Sequence, residues 1–176
     1  MQFDESKTKG NLMTAFLRES GAYNEYTFYA MQAKKDGYEK IYNLFTQFAD
    51  NEQAHAKIWF KLWHGISCTE DNLLDSADLE HYEHSVLYNE FSKVAKEEGF
   101  DDIAFLFEQV GKIESRHEKD YKQLFKKVKD QTMFVEPKET QWKCLNCGHI
   151  HLGKQAPDTC PVCSHPQAFF EVCEQC

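Results

Sequence analysis

Two motifs with the same spacing each pair a glutamate with a histidine. Their residues are the best candidates in this chain for a chemical role. They are Glu52-x-x-His55 and Glu114-x-x-His117. Residues 37–62 align without gaps on residues 99–124, and the alignment places one motif on the other. Side chains three apart on a helix project from one face, so each motif offers a carboxylate and an imidazole to the interior. The repeat predicts a pseudo-twofold helical bundle with both motifs facing its centre.

Carboxylate-rich sites with a few imidazoles suit a pair of iron or manganese ions, and the four-helix form of such sites also takes a glutamate from each of the other two helices. The first predicted helix supplies Glu19, which precedes Tyr26 by seven residues, or two turns along one face. Glu25 lies well off that face, so Glu19 is the better ligand. The third predicted helix supplies Glu80 and Glu83.

In the third predicted helix Glu80 precedes Tyr88 by eight residues. This spacing is one residue longer than that between Glu19 and Tyr26 in the first helix. A single insertion inside a helix is absorbed as a π-bulge, a feature often found at functional sites. Here it would turn Glu83 inward beside Glu80. The predicted metal centre then has five carboxylates and two histidines.

Two tyrosines and two further histidines lie near these ligands in the sequence. Tyr26 and Tyr88 either donate hydrogen bonds to ligand carboxylates or are ordinary core aromatics. His81 and His84 point off the face of the third-helix acids, so we expect them at the surface or behind the ligands.

Six of the seven cysteines fall in the last 33 residues, and four of them form two Cys-x-x-Cys pairs separated by twelve residues. These four are Cys144, Cys147, Cys160 and Cys163. The spacing predicts a tetrahedral four-thiolate site, which zinc and a single iron both fit. Trp142, Phe169 and Phe170 are expected to pack around it. The terminal Cys173 and Cys176 are a frayed tail, a thiol redox pair or a place of adventitious metal binding.

Helical periodicity, with glycines between the periodic segments, predicts four helices at about 8–35, 38–63, 69–98 and 101–129. Thr69 is the predicted N-cap of the third helix. Residues 130–141 lose this period and form a linker or an entry strand. We therefore predict two domains, a helical bundle at 1–131 and a small, mostly β and loop metal domain at 132–176. The small domain has few aliphatic residues, so metal binding must stabilise it.

Charge and hydropathy exclude several classes of partner. The chain has 176 residues, a formal net charge of -9 and a pI near 5.4, so it has no basic face for nucleic acid or an anionic membrane. It shows neither a secretory signal nor a membrane span, and a cytoplasmic location is the expectation.

From Ala15 to Phe170 the chain resembles the rubrerythrin family. The resemblance lies in RES around Glu19, in DNEQAH, LEHYE and IESRH around the other helical ligands, and in WKCLNCG with CPVCSHPQAFFE. It implies an all-α, four-helix ferritin-like bundle with two non-haem irons, followed by a rubredoxin-like domain with one iron, for which zinc could substitute. Ser164 departs from the glycine that the family usually has after its last cysteine, which predicts strain there.

The resemblance further implies a peroxidase that reduces hydrogen peroxide to water and protects against oxidative stress. One iron would move between His55 and Glu83 with redox state. Electrons would come from an external donor, such as rubredoxin or an NADH-linked reductase, through the four-cysteine iron.

The last predicted helix continues about 20 Å beyond His117, so the small domain leaves the bundle far from its own helical site. A homodimer with head-to-tail electron transfer between subunits would remove this distance. Two rival functions are a ferroxidase or iron-storage protein, and a non-enzymatic adaptor carrying a zinc ribbon.

Overall fold

The computed structural model describes residues 2–173. The chain divides after Ser67 into two compact units, which we call the N-terminal unit and the C-terminal unit. This division separates two pairs of helices. It differs from the predicted domain boundary between residues 131 and 132, which stays a prediction. No helix among the described residues is long and apolar enough to cross a membrane.

The N-terminal unit is an antiparallel helical pair, formed by α1 (Lys7–Lys35) and α2 (Glu39–Trp63), with a short 3-10 turn (Phe3–Glu5) before it. The Ser6 hydroxyl caps α1 by accepting the Lys9 amide at 3.2 Å. Gly37, with φ +82°, makes the turn between the helices, a conformation that favours glycine.

The buried residues of α1 and α2 are all alanines, and aromatic side chains also pack between the two helices. The buried side chains are Ala30, Ala33, Ala49 and Ala56. Phe16 contacts Phe60 and Trp63, while Tyr26 and Tyr29 contact Phe45. The pairing of early residues of α1 with late residues of α2 shows the antiparallel arrangement. Other apolar side chains of the pair face outward, including Phe28 and Met31, which are 62% and 67% exposed.

The helices of the C-terminal unit also form an antiparallel pair. One side is α3 (Thr69–Tyr82), a π-helical turn (Glu83–Leu87) and α4 (Tyr88–Glu97) in succession, and the other is α5 (Asp101–Lys129). The expected π-bulge is therefore confirmed. The expectation of Thr69 as an N-cap is wrong by one residue, since Thr69 is already helical and Cys68 precedes it without a side-chain cap.

Residues after α5 form a three-stranded antiparallel sheet of order β2-β1-β3. The strands are β1 (Val135–Cys144), β2 (Ile150–Gln155) and β3 (Phe170–Val172). Trp142 of β1 pairs with His151 and with Val172, so β1 is central. The segment that the sequence left as linker or entry strand is thus largely a strand.

The small core of this sheet contains Trp142, Cys144, Ala156, Cys160 and Phe170. The Trp142 indole donates to the Gly153 carbonyl at 3.0 Å, which satisfies its buried N–H. Phe169 does not join the core as expected, because it is 37% exposed and its ring packs on His165. Two of the five core residues are cysteines of the predicted metal site, which fits a fold that metal binding must stabilise.

Candidate metal centres

Helices α1 and α2 bring together Glu19, Glu52 and His55, whose candidate ligand atoms all lie within 4.8 Å of one another. His55 Nδ1 lies 3.0 Å from Glu52 Oε2. A hydrogen bond with Glu52, then burial, raises the pKa of Glu19, and the same bond lowers the pKa of Glu52. The two carboxyls therefore lie close enough for a hydrogen bond when one of them carries a proton.

Trp59 follows the same face of α2 and its indole borders this group. Its Nε1 atom is buried and has no hydrogen-bond partner among the described residues. The indole lowers the pKa of Glu19, but the hydrogen bond with Glu52 raises it by more. The indole N–H is therefore close enough to Glu19 to stabilise its carboxylate, although not at hydrogen-bond geometry.

Helices α3 and α5 bring together the equivalent group, Glu80, Glu114 and His117, again with all candidate ligand atoms within 4.8 Å. His117 Nδ1 lies 2.7 Å from Glu114 Oε2 and 3.6 Å from Glu80 Oε1. Burial, then the negative charge of Glu114, raises the pKa of Glu80. Each of the two repeated motifs thus gains one further glutamate from the neighbouring helix, as the sequence predicts.

Glu83 opens the π-helical turn and is half-buried, but it is not part of the tight group formed by the other three side chains. Burial, then the charge of Glu114, raises its pKa, so its carboxylate lies within electrostatic reach of that group. The turn therefore places a third carboxylate near this group, outside the set whose ligand atoms all lie within 4.8 Å of one another.

The two tyrosines differ in their surroundings. Burial, then the charges of Glu83, Glu114 and Glu80, raises the pKa of Tyr88, so its phenol faces the acids of the C-terminal unit. The ring of Tyr26 packs against Phe45 at 6.1 Å between centroids.

The chemistry of these donors fits iron. Each group supplies two carboxylates and one imidazole, and oxygen-rich donor sets with a few nitrogens suit iron or manganese. A hydrogen bond with Glu52 raises the pKa of Glu19, and burial followed by the charge of Glu114 raises the pKa values of Glu80 and Glu83, whereas a bound cation would favour the ionised carboxylates.

The four cysteines of the small sheet form a compact cluster whose sulfur atoms all lie within 4.8 Å. The Cys144 and Cys163 sulfurs are 3.7 Å apart, and those of Cys147 and Cys160 are 3.6 Å apart. A tetrahedron with metal–sulfur bonds of about 2.3 Å has edges of about 3.8 Å. The cluster therefore has the dimensions of a four-thiolate site, and these dimensions suit zinc and iron alike.

Backbone amides and neighbouring thiols set the charge of this cluster. A hydrogen bond with the His165 backbone favours the Cys163 thiolate and, with further bonds from Asn146 and two thiols, outweighs burial to lower its pKa to about 6. At Cys147 the bond with the His149 backbone also favours the thiolate, but burial and the other three thiols together raise its pKa to about 12. Full deprotonation of the set requires a cation.

The left-handed position predicted at Ser164 is confirmed, with φ of 60°. Of the terminal pair, Cys173 is disulfide-bonded, and Cys176 lies outside the described residues.

A third group of candidate ligands, His81, His84 and Glu118, was not predicted. The sequence predicts both histidines at the surface or behind the ligands, and it indicates no role for Glu118. The three-residue spacing of the histidines was the available signal. Nothing in the local sequence marks Glu118 as buried.

Comparison with known proteins identifies the family of this chain. A family model described as rubrerythrin matches residues 10–125 and 71–148, and one described as the rubredoxin-like domain of rubrerythrin matches residues 142–171. Rubrerythrin of Nitratidesulfovibrio vulgaris is 39% identical over 180 residues, covering 95% of this chain and 94% of the relative. Rubrerythrin of Porphyromonas gingivalis is 41% identical, covering 94% and 90%.

A solved structure titled "Partially Reduced State of Nigerythrin" is 28% identical and covers 95% of this chain and 86% of its own, with a TM-score of 0.38. This TM-score is too low to support a family assignment, so the assignment rests on the sequence matches. The chain belongs to the rubrerythrin family of iron-binding oxidoreductases, which join a ferritin-like helical bundle to a rubredoxin-like domain.

Proposed function

We propose that this protein is a peroxidase that reduces hydrogen peroxide to water at a di-iron centre and receives its electrons through the four-cysteine site. The observation that carries the proposal is the presence of two carboxylate and imidazole groups and one four-thiolate cluster in a chain of this family. One peroxide molecule takes two electrons and two protons and yields two waters. The electrons come from an external donor, such as rubredoxin or an NADH-linked reductase.

Seven side chains are the proposed iron ligands. They are Glu19, Glu52, His55, Glu80, Glu83, Glu114 and His117. When bound, a pair of ferrous ions supplies two electrons and the Lewis acidity that polarises the peroxide. The carboxylates offset the charge of the cations, and the imidazoles are neutral donors.

Glu83 and His55 are proposed as alternative ligands that depend on redox state. Glu83 stands apart from the tight group at Glu80, which leaves its carboxylate available for such an exchange. Tyr88, facing three acids, is proposed to orient ligand carboxylates by hydrogen bonding, and Tyr26 is proposed for the same role on α1.

The four-cysteine site is proposed to hold iron as a one-electron relay, with zinc as a structural substitute. The rubredoxin-like match at residues 142–171 and the end of α5 at Lys129 support a domain boundary near residues 131 and 132. We place the protein in the cytoplasm, without nucleic-acid or membrane partners.

A homodimer with head-to-tail electron transfer is the proposed assembly. Helix α5 continues 12 residues past His117 to Lys129, which is about 18 Å at the helical rise. Side chains such as Phe28, Met31 and Leu106 are at least 60% exposed, as expected of surfaces that another element covers. Sedimentation should therefore find a dimer, and a fully active monomer would refute this assembly.

The test of function is steady-state peroxide consumption by the iron-loaded protein with NADH, a reductase and rubredoxin. The proposal expects turnover that stops when rubredoxin is omitted and no growing iron core. Accumulation of many irons per chain without sustained peroxide reduction would instead indicate iron storage. Protein that contains only zinc would indicate the adaptor function.

A further inference from the structure

His81, His84 and Glu118 form a third group of metal-ligating side chains that shares no residue with the other helical groups. His84 Nε2 lies 2.6 Å from Glu118 Oε2, and His81 Nδ1 lies 3.1 Å from Glu118 Oε1. The three ligand atoms all fall within 4.8 Å of one another. One carboxylate is thus held between two imidazoles.

The spacing of these atoms matches a coordination sphere. Metal–ligand bonds of about 2.0–2.1 Å to nitrogen and oxygen place neighbouring donors about 2.9–3.4 Å apart in octahedral or tetrahedral geometry. The His81–Glu118 distance of 3.1 Å lies within this range, and the His84–Glu118 distance of 2.6 Å lies below it. Two imidazoles with one carboxylate are a donor set that divalent transition metals prefer, whereas magnesium and calcium prefer oxygen alone.

The π-helical turn contributes to this arrangement. It begins at Glu83, between the two histidines, and its wider turn changes the direction of His84 relative to residues of α3. The two rings lie 5.2 Å apart at 89°, and both reach Glu118 on α5. His84 therefore reaches Glu118 from within the turn that the insertion creates.

The three side chains differ in solvent exposure, as a site that an ion enters from solvent requires. Glu118 is the one charged residue found buried within residues 2–173, with 8% exposure. The His84 side chain is 21% exposed and that of His81 is 57% exposed, so the group opens to solvent on the His81 side. An ion can reach the carboxylate past His81 without passing through the helix pair.

A cation already lies at this carboxylate. Lys122 Nζ contacts Glu118 Oε1 at 2.5 Å, and the Lys122 side chain is 53% exposed. The ammonium and the His84 ring both contact this carboxylate, so its charge is offset by side chains of the protein when no metal is bound. Because Lys122 is flexible and half in solvent, it can leave when a better cation arrives.

We propose that His81, His84 and Glu118 form a third metal site that binds one divalent transition-metal ion, with Lys122 as the competing intramolecular cation. The site is independent of the proposed peroxidase chemistry. It would exist even if the helical groups bound no iron.

The test titrates iron-loaded, full-length protein with Co²⁺ and with Zn²⁺ against a chromophoric chelator, while bound iron is counted before and after. One additional Co²⁺ per chain is expected, with visible bands of nitrogen and oxygen coordination and no cobalt–thiolate absorption. His84→Gln and Glu118→Gln should each weaken this binding at least tenfold without loss of iron. Thermal unfolding of both variants checks that the helix pair is intact.

Lys122→Met gives the result that a purely structural role does not predict. Removal of the competing ammonium should tighten Co²⁺ binding about tenfold, whereas a hydrogen-bonded cluster with no metal affinity would show no change. Glu108→Gln is the matched control, since Glu108 is an α5 acid that also contacts a lysine, Lys96. The proposal is overturned if no extra ion binds, if binding persists in His84→Gln, or if Lys122→Met leaves the affinity unchanged.

Discussion

Gly148 and Ser164 occupy equivalent positions in two matching turns of the four-cysteine site, and both have left-handed backbones, with φ of 77° and 60°. Each directly follows the second cysteine of its pair. The Gly148 amide donates to the Cys144 carbonyl at 2.8 Å, and the Ser164 amide donates to the Cys160 carbonyl at 2.9 Å. Glycine adopts this conformation freely, whereas other residues are strained by about 1–2 kcal/mol.

Ser164→Gly should therefore stabilise the small domain by about 1 kcal/mol, after allowance for the greater freedom of glycine in the unfolded chain. The measurement is the guanidinium concentration at which the iron–thiolate absorption is lost. Gly148→Ala is the converse variant and should destabilise the domain by a similar amount. Equal stability of Ser164→Gly and the wild type would show that the turn is not strained.

Glu80→Gln should raise the stability of the metal-free protein and reduce its iron binding. In the metal-free folded protein, burial and the charge of Glu114 raise the pKa of Glu80, so the wild type loses stability as the pH rises through that value. Glutamine has no such loss. The variant should therefore unfold at a higher temperature than the metal-free wild type at pH 7, with the difference vanishing below the ordinary pKa of 4.5.

The same variant should bind less iron at the helical site, which iron analysis measures. Glu90→Gln, an exposed acid on α4, is the control and should change neither property. A Glu80→Gln protein that is less stable than the wild type at pH 7 without metal would contradict the crowding of these carboxylates.

Tyr88→Phe should lower kcat for peroxide about tenfold while iron content stays constant. The phenol faces three acids, and hydrogen bonds to charged groups contribute about 1.5–3 kcal/mol. Tyr26→Phe should have a smaller effect, because the described contact of that ring is with Phe45. Equal kcat in Tyr88→Phe and the wild type would assign Tyr88 to the core alone.

Cys147→Ser should remove the iron–thiolate absorption and reduce NADH-driven peroxide turnover at least tenfold. A single turnover by chemically reduced protein should remain, since the helical ligands are untouched. Cys68, which is also exposed but lies outside the site, provides the control Cys68→Ser. Unchanged NADH-driven turnover in Cys147→Ser would exclude a relay through this site.

Local sequence signals were sufficient for the helices and for the grouping of the motif residues. Gly37, Gly65 and Gly99 mark the helix ends because each adopts a positive φ there. The one-residue difference between the two acid–tyrosine spacings predicted the π-helical turn, since an insertion in a helix has few other ways to be absorbed.

Local sequence signals do not predict contacts between residues that are far apart in the sequence. Glu118 resembles any surface glutamate in sequence, and its burial depends on His84, 34 residues away. Phe169 and Phe170 are adjacent aromatics, and only the strand register at Cys144 decides that Phe170 is buried and Phe169 is not. The metal in the cysteine site is equally undetermined, because both candidates share one geometry.

The most direct test of the central claim is an anaerobic titration of fully reduced, iron-counted protein with hydrogen peroxide. We predict about three irons per chain and the conversion of one peroxide to water for each helical iron pair, with the return of the iron–thiolate colour only after the pair is oxidised. Peroxide that persists in the presence of a fully loaded pair would contradict the account.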